Sequence, residues 1–200
     1  MLLVIDHRDS FTWNLVHALE RWTRPVEVVD SAEITAEKVR ACKPLGLVLS
    51  PGPGRPEDAL PTRTLVAELA RELPMLGVCL GHQILCSCFG ARVTHAPSVF
   101  HGRVSRIHHC GEGLFTGLPG DFAVARYHSL LVDEATLPAE FSASAWAHSG
   151  ELMAVAHRSL PLFGVQFHPE SFLTQQGAEL LRAFVARLPT VEAARGSARA

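Results

Sequence analysis

In the first half of the chain short apolar runs alternate with amphipathic stretches. Leu2 to Ile5, Val26 to Val29, Leu45 to Leu49 and Met75 to Val78 are bounded by turn residues and read as strands. Between them Leu15, Val16, Leu19 and Trp22 share one helical face, as do Leu65, Val66, Leu69 and Leu73. Strand and helix in alternation imply parallel strands joined by right-handed crossovers. After about Ala91 the pattern changes to short β-type segments, namely Arg103 to Ile107, Phe122 to Tyr127, Phe141 to Ala147, Leu152 to Ala156 and Leu162 to Phe167. These are expected to be antiparallel, added to one side of the sheet or packed against it. A last helix from about Gln175 to Leu188 buries Leu180, Leu181, Phe184, Val185 and Leu188, and Pro189 stops it. The expected class is therefore α/β, with a mostly parallel central sheet flanked by helices and an added antiparallel section. One domain spans residues 1–189, and the small, polar tail 190–200 has nothing to bury and is expected to be disordered.

Composition narrows the function. Among 200 residues, 18 Lys plus Arg stand against 20 Asp plus Glu, so no large basic field marks the chain for nucleic acid or an anionic membrane. Hydrophobic residues at 48% can build a sizeable core. Met1 to Asp6 has no basic stretch before its apolar run, unlike a secretory signal, and no run approaches the roughly 18 apolar residues of a membrane span. A cytoplasmic protein is expected. The cysteines Cys42, Cys79, Cys86, Cys88 and Cys110 are odd in number, which argues against a disulfide framework.

Three strings carry chemistry. Gly77-Val78-Cys79-Leu80-Gly81 follows a strand and precedes a short helix, in the pattern of a nucleophile elbow with Cys in place of Ser. Cys79 then sits at a helix N-terminus, whose dipole favours thiolate over thiol. Its alternative, a small buried hydrophobe between two turn glycines, explains less of the pattern. Gln166-Phe167-His168-Pro169-Glu170 supplies His168 as a base and Glu170 to fix the base's tautomer, completing a Cys-His-Glu triad. Alone it would be an ordinary loop. Ser50-Pro51-Gly52-Pro53-Gly54 follows a third strand and offers backbone N–H groups to an oxyanion; alone it is only a turn. Sites in open α/β sheets gather at the carboxyl ends of strands, so the three strings are expected on one edge.

Together these strings resemble the class I (triad) glutamine amidotransferases. Asp9-Ser10-Phe11-Thr12-Trp13-Asn14-Leu15, His101-Gly102 and Arg126-Tyr127-His128-Ser129-Leu130 extend the likeness to the small glutaminase subunits of anthranilate synthase and aminodeoxychorismate synthase, over about Leu2 to Leu188. The resemblance implies that Cys79 attacks the side-chain amide of L-glutamine to form a γ-glutamyl thioester, with His168 as acid and base and Glu170 as its orienter. It implies an oxyanion hole from the backbone of Gly52 and Leu80. Glutamine contacts would come from Gly52, Pro53, Gly54, Gln83, Ser129 and Leu130. It further implies no cofactor or metal on this chain and, as partner, a larger chorismate-binding synthase subunit that holds Mg²⁺ and receives the ammonia. Anthranilate, 4-amino-4-deoxychorismate, or both are the expected products. A free-standing cysteine hydrolase, or a catalytically idle binding subunit on the same fold, is the alternative.

The chain departs from that family twice, with His7-Arg8 where Asn-Tyr is usual and Arg103-Val104 where Lys-Thr is usual. Neither touches the triad, and both are expected nearer the partner surface. Cys86 and Cys88, two residues apart on a helix, point about 200° apart and are read as core thiols rather than metal ligands. His95, His101, His108, His109 and Cys110 fit no zinc spacing and are read as a solvated loop or hairpin. Asp6 and Asp9 could suggest a phosphoacceptor pocket, but without its lysine motif Asp9 or Ser10 is better read as a helix cap.

Overall fold

The computed structural model describes residues 1–189, and the tail 190–200 lies outside the described residues. Eleven strands and five α-helices follow in chain order: β1 (Leu2–Asp6), α1 (Thr12–Leu19), β2 (Val26–Asp30), α2 (Ala36–Cys42), β3 (Gly46–Leu49), α3 (Leu60–Leu69), β4 (Met75–Val78), α4 (Leu80–Cys88), β5 (Val93–His95), β6 (Arg103–His109), β7 (Asp121–Arg126), β8 (Leu130–Val132), β9 (Phe141–Ala147), β10 (Leu152–His157), β11 (Leu162–Val165) and α5 (Gly177–Val185). Nine strands form one sheet in the order β2-β1-β3-β4-β11-β10-β9-β6-β7, and β5 pairs with β8 apart from it. From β2 to β11 all neighbours are parallel; from β11 to β7 all are antiparallel.

The central strands are apolar throughout because both faces are covered. Along β1, Leu2 and Val4 join a core with Leu15, Val16 and Leu19 of α1 and Leu180, Leu181 and Phe184 of α5. Leu3 and Ile5 point the other way, to Val39 of α2, Leu65, Val66 and Leu69 of α3, and Ile84 and Leu85 of α4. Each fully buried leucine in these layers contributes about 1.5–3 kcal/mol by leaving water. No helix among the described residues is long and apolar enough to cross a membrane.

The expected strands appear within two residues of their observed bounds, and the antiparallel section extends the main sheet as a continuation of its edge. Leu162 to Phe167 requires a correction: β11 ends at Val165 and is parallel to β4, though antiparallel to β10. Burial on both faces gives it the same apolar signature as its neighbours, so periodicity could not assign its direction. Helix α2 and the β5–β8 pair have no counterpart in the sequence pattern; α2 is seven residues long and buries only Ala36 and Val39, too few apolar positions to reveal a period. The structural cap of α1 also differs. Phe11 occupies the N-cap, while the Asp9 carboxylate accepts from the Phe11 N–H (2.7 Å) and Asp6 accepts from the Thr12 hydroxyl (2.7 Å).

Candidate active site

Three adjacent parallel strands, β3, β4 and β11, release their chains at the same edge of the sheet. The first leads into Ser50 to Gly54, the second into Cys79 and the third into Gln166 to Glu170, so strand order alone brings the three strings together.

Cys79 is 6% exposed and adopts φ +52°, a strained conformation for a residue with a side chain. Its N–H donates to the Val165 carbonyl (2.9 Å) and its carbonyl accepts from Gln83 N–H (3.1 Å), which locks the turn between β4 and α4. The flanking glycines are needed for space. A Cβ on Gly77 would meet the Gly81 carbonyl at 2.5 Å, and one on Gly81 would meet the Leu49 carbonyl at 2.2 Å. Gly52 is held equally close, its missing Cβ 2.5 Å from that of His7 and 2.7 Å from the Leu80 side chain.

His168 is 2% exposed. Its Nδ1 pairs with Glu170 Oε1 at 2.6 Å, and its backbone is fixed by donation from its N–H to Ala125 (3.1 Å) and by acceptance from the Thr174 hydroxyl (2.7 Å). Burial alone would lower the imidazole pKa, but Cys79 and Glu170 overcome it and raise it to about 10. Glu170 occupies Nδ1, and Nε2 is buried with no hydrogen-bond partner among the described residues. Phe11 and Tyr127 enclose the ring edge-on, at centroid distances of 5.3 and 5.0 Å.

A cavity of about 180 Å³ opens beside the cysteine. Gly52, Pro53, Gly54, Leu80, Gln83, Ser129 and Leu130, which the family resemblance nominated, all line it together with Cys79, Tyr127 and His128. Leu80 is the first residue of α4, where helix geometry leaves the N–H without an intrahelical acceptor. A larger cavity of about 310 Å³ lies elsewhere, between β9 to β11 and Arg187, and does not include the cysteine.

Several neighbours carry no local signal. Gln166 donates to Cys79 Sγ (3.7 Å) and accepts from Gln83 (3.0 Å). His128, whose pKa is lowered to about 4 by burial and by Arg126, donates to the Leu130 carbonyl (2.8 Å) and is neutral. Both lie inside the family motifs, but only the fold reveals what they touch.

The first departure is not a surface feature. His7 is buried against the Ser50 to Gly54 loop, with Nδ1 on the Ser50 carbonyl (3.1 Å), Nε2 on the Thr62 hydroxyl (3.0 Å) and its N–H on Ser50 Oγ (2.9 Å). It thereby ties the loop to β1 and α3, where a histidine can reach both acceptor and donor. Burial lowers its pKa, so it serves as a neutral strut. Arg8 is exposed and pairs with Asp30, and Arg103 and Val104 are exposed on β6. Cys86 lies in the core with its thiol 3.7 Å from His82 Nδ1; burial pushes the thiol pKa up and the His82 pKa down to about 3. His108 and His109 belong to β6, which forms a hairpin with β7.

The glutamine amidotransferase class-I family model matches residues 3–188. The chain belongs to this family. It is 45% identical over 187 residues to aminodeoxychorismate synthase component 2 of Escherichia coli, covering 94% of this chain and 100% of that protein. It is 45% identical over 190 residues to anthranilate synthase component 2 of Pseudomonas aeruginosa, covering 92% and 94%. Among solved structures, a GMP synthase subunit from Thermoplasma acidophilum superposes with a TM-score of 0.82 at 26% identity, covering 92% of each chain.

Proposed function

We propose that this chain is the glutaminase subunit of a chorismate-using synthase, with Cys79 as nucleophile. The observation that carries this reading is the assembly at one sheet edge of Cys79, the His168–Glu170 pair at 2.6 Å and a small cavity lined by every residue nominated for glutamine. Cys79 Sγ attacks the side-chain carbonyl of L-glutamine, and the oxyanion is held by the backbone N–H groups of Gly52 and Leu80. His168 receives the thiol proton and returns it to the departing ammonia, leaving a γ-glutamyl thioester. Water then attacks the thioester, giving up a proton to His168, and glutamate leaves as the thiol is restored. Glu170 holds the imidazole with Nε2 toward the sulfur throughout. One glutamine and one water thus yield one glutamate and one ammonia.

Ammonia is used by a larger, chorismate-binding partner, which would also hold the Mg²⁺ for the aromatic chemistry. The exposed Phe172 (93%) and Trp13 (58%) favour docking near the triad, since Phe172 shares a surface depression with Glu170, Phe11 and Asn14. Equal identity to an aminodeoxychorismate and an anthranilate component favours a chain that can serve either partner. Regiochemistry then belongs to the partner. The test pairs the chain with each chorismate-binding subunit of its organism and follows glutamine-dependent product. Product with one or both supports the reading and assigns the pathway. Glutamine hydrolysis by the chain alone, unchanged by any partner, would instead identify a free-standing hydrolase, and no hydrolysis in any combination an idle binding subunit.

A further inference from the structure

A chain of buried hydrogen bonds runs from the antiparallel section of the sheet to the nucleophile. It starts at Arg126, whose side chain is fully buried, ion-paired with Glu151 (3.3 Å) and stacked 3.4 Å above the Phe100 ring. A guanidinium has donors only. Arg126 Nε therefore donates to His128 Nε2 (3.1 Å), which leaves the His128 proton on Nδ1, directed at the Leu130 carbonyl (2.8 Å). That carbonyl also accepts from Gln83 Nε2 (3.1 Å). Because a carbonyl cannot donate, the nitrogen of the Gln83 amide must face it. The second Gln83 N–H goes to Gln166 Oε1 (3.0 Å), so the nitrogen of Gln166 is turned to Cys79 Sγ (3.7 Å). Reversing either amide would set two acceptors, or two donors, against each other in a buried space, and that costs more than either bond contributes.

We propose that Gln166 is a catalytic residue that holds the Cys79 thiolate through an N–H···S hydrogen bond, its amide orientation being set by the relay Arg126–His128–Leu130 carbonyl–Gln83. The inference rests on Cys79 being the nucleophile. A hydrogen bond to an ionised sulfur stabilises the charged state more than the neutral thiol, so the donor favours the reactive form before glutamine arrives. The same relay fixes Gln83, whose two amide hydrogens are both taken, leaving its Oε1 as the group it can offer to the cavity. Arg126, His128 and Gln83 are positioning residues in this scheme, since none of them touches the sulfur.

The test is alkylation of the full chain by iodoacetamide without glutamine, read peptide by peptide, with the exposed Cys42 and Cys110 as internal references. Gln166→Glu keeps the acceptor for Gln83 but turns an oxygen toward the sulfur. Its Cys79 alkylation at pH 7 is expected to fall about tenfold, with Cys42 and Cys110 unchanged. The deficit should vanish at a pH where every thiol is ionised, which mere distortion of the pocket would not produce. Gln166→Met, of similar length and uncharged, should show the same loss, and His128→Leu, which interrupts the relay without altering Gln166, a smaller one. Wild-type alkylation across the pH range in folded Gln166→Glu and Gln166→Met chains overturns the proposal, as does a deficit equal at every pH. Glutamine hydrolysis by the wild-type complex is measured in parallel, so a failure of this inference is distinguishable from a failure of the glutaminase reading.

Discussion

Cys79→Ser is expected to abolish glutamine-dependent product formation in the complex, by at least about 10⁴-fold, while synthesis from added ammonium salts stays within about twofold of wild type. The hydroxyl fills the space of the thiol at a site only 6% exposed, so the turn between β4 and α4 and its hydrogen bonds to Val165 and Gln83 survive. What is lost is a nucleophile that His168 can deprotonate readily, since a serine hydroxyl is a far weaker acid than a thiol. Ammonia supplied from solution bypasses the glutaminase and needs only the partner's site. Both syntheses are compared in one preparation, in which co-elution of the two subunits reports separately that they still associate. Loss of that co-elution, or glutamine-dependent synthesis retained by the variant, would mean that Cys79 is a structural residue of the elbow.

Removal of the base is expected to cost almost as much. His168→Ala takes away the acceptor of the thiol proton, the donor to ammonia and the base for hydrolysis, and a loss of about 10⁴- to 10⁶-fold in glutamine turnover is expected. Glu170→Gln retains a carbonyl oxygen for the Nδ1–H and nearly the same volume, so its loss should be about 10- to 100-fold smaller than that of His168→Ala. The partition follows from the geometry. Glu170 meets His168 on the ring nitrogen remote from the sulfur, so it orients the imidazole and steadies its charge without exchanging a proton with substrate. Steady-state glutaminase kinetics of the two variants in complex check this; comparable losses would remove the distinction between base and orienter.

Most of the site is legible in the sequence because each string follows an apolar strand and ends in residues suited to one chemistry. Glycines around Cys79, a proline between His168 and Glu170, and the Pro-Gly-Pro-Gly loop are local features, readable without neighbours. The spatial order β3-β4-β11 is not local. Leu162 to Val165 carries the apolar run of a buried strand, and nothing within it reveals that it lies parallel to β4, which is the pairing that carries His168 to Cys79. The roles of Gln166 and His128 are hidden for the same reason. A polar residue beside a recognised motif has no visible partner until the chain is folded, and their partners lie 87 and 2 residues away, the latter at Arg126 on the end of β7. His7 departs from its expected surface position because residues after a strand end are usually solvated, whereas here the Ser50 to Gly54 loop folds back over it and leaves it 7% exposed.

The central claim, that Cys79 carries the acyl group of glutamine, is tested most directly by acid-quenching the complex during turnover and mapping the digested chain by mass spectrometry. One γ-glutamyl group bound through a base-labile thioester on the peptide containing Cys79, absent from Cys79→Ser, is the predicted result. Steady glutamine hydrolysis with that peptide unmodified, or with the glutamyl group on another cysteine, would contradict it.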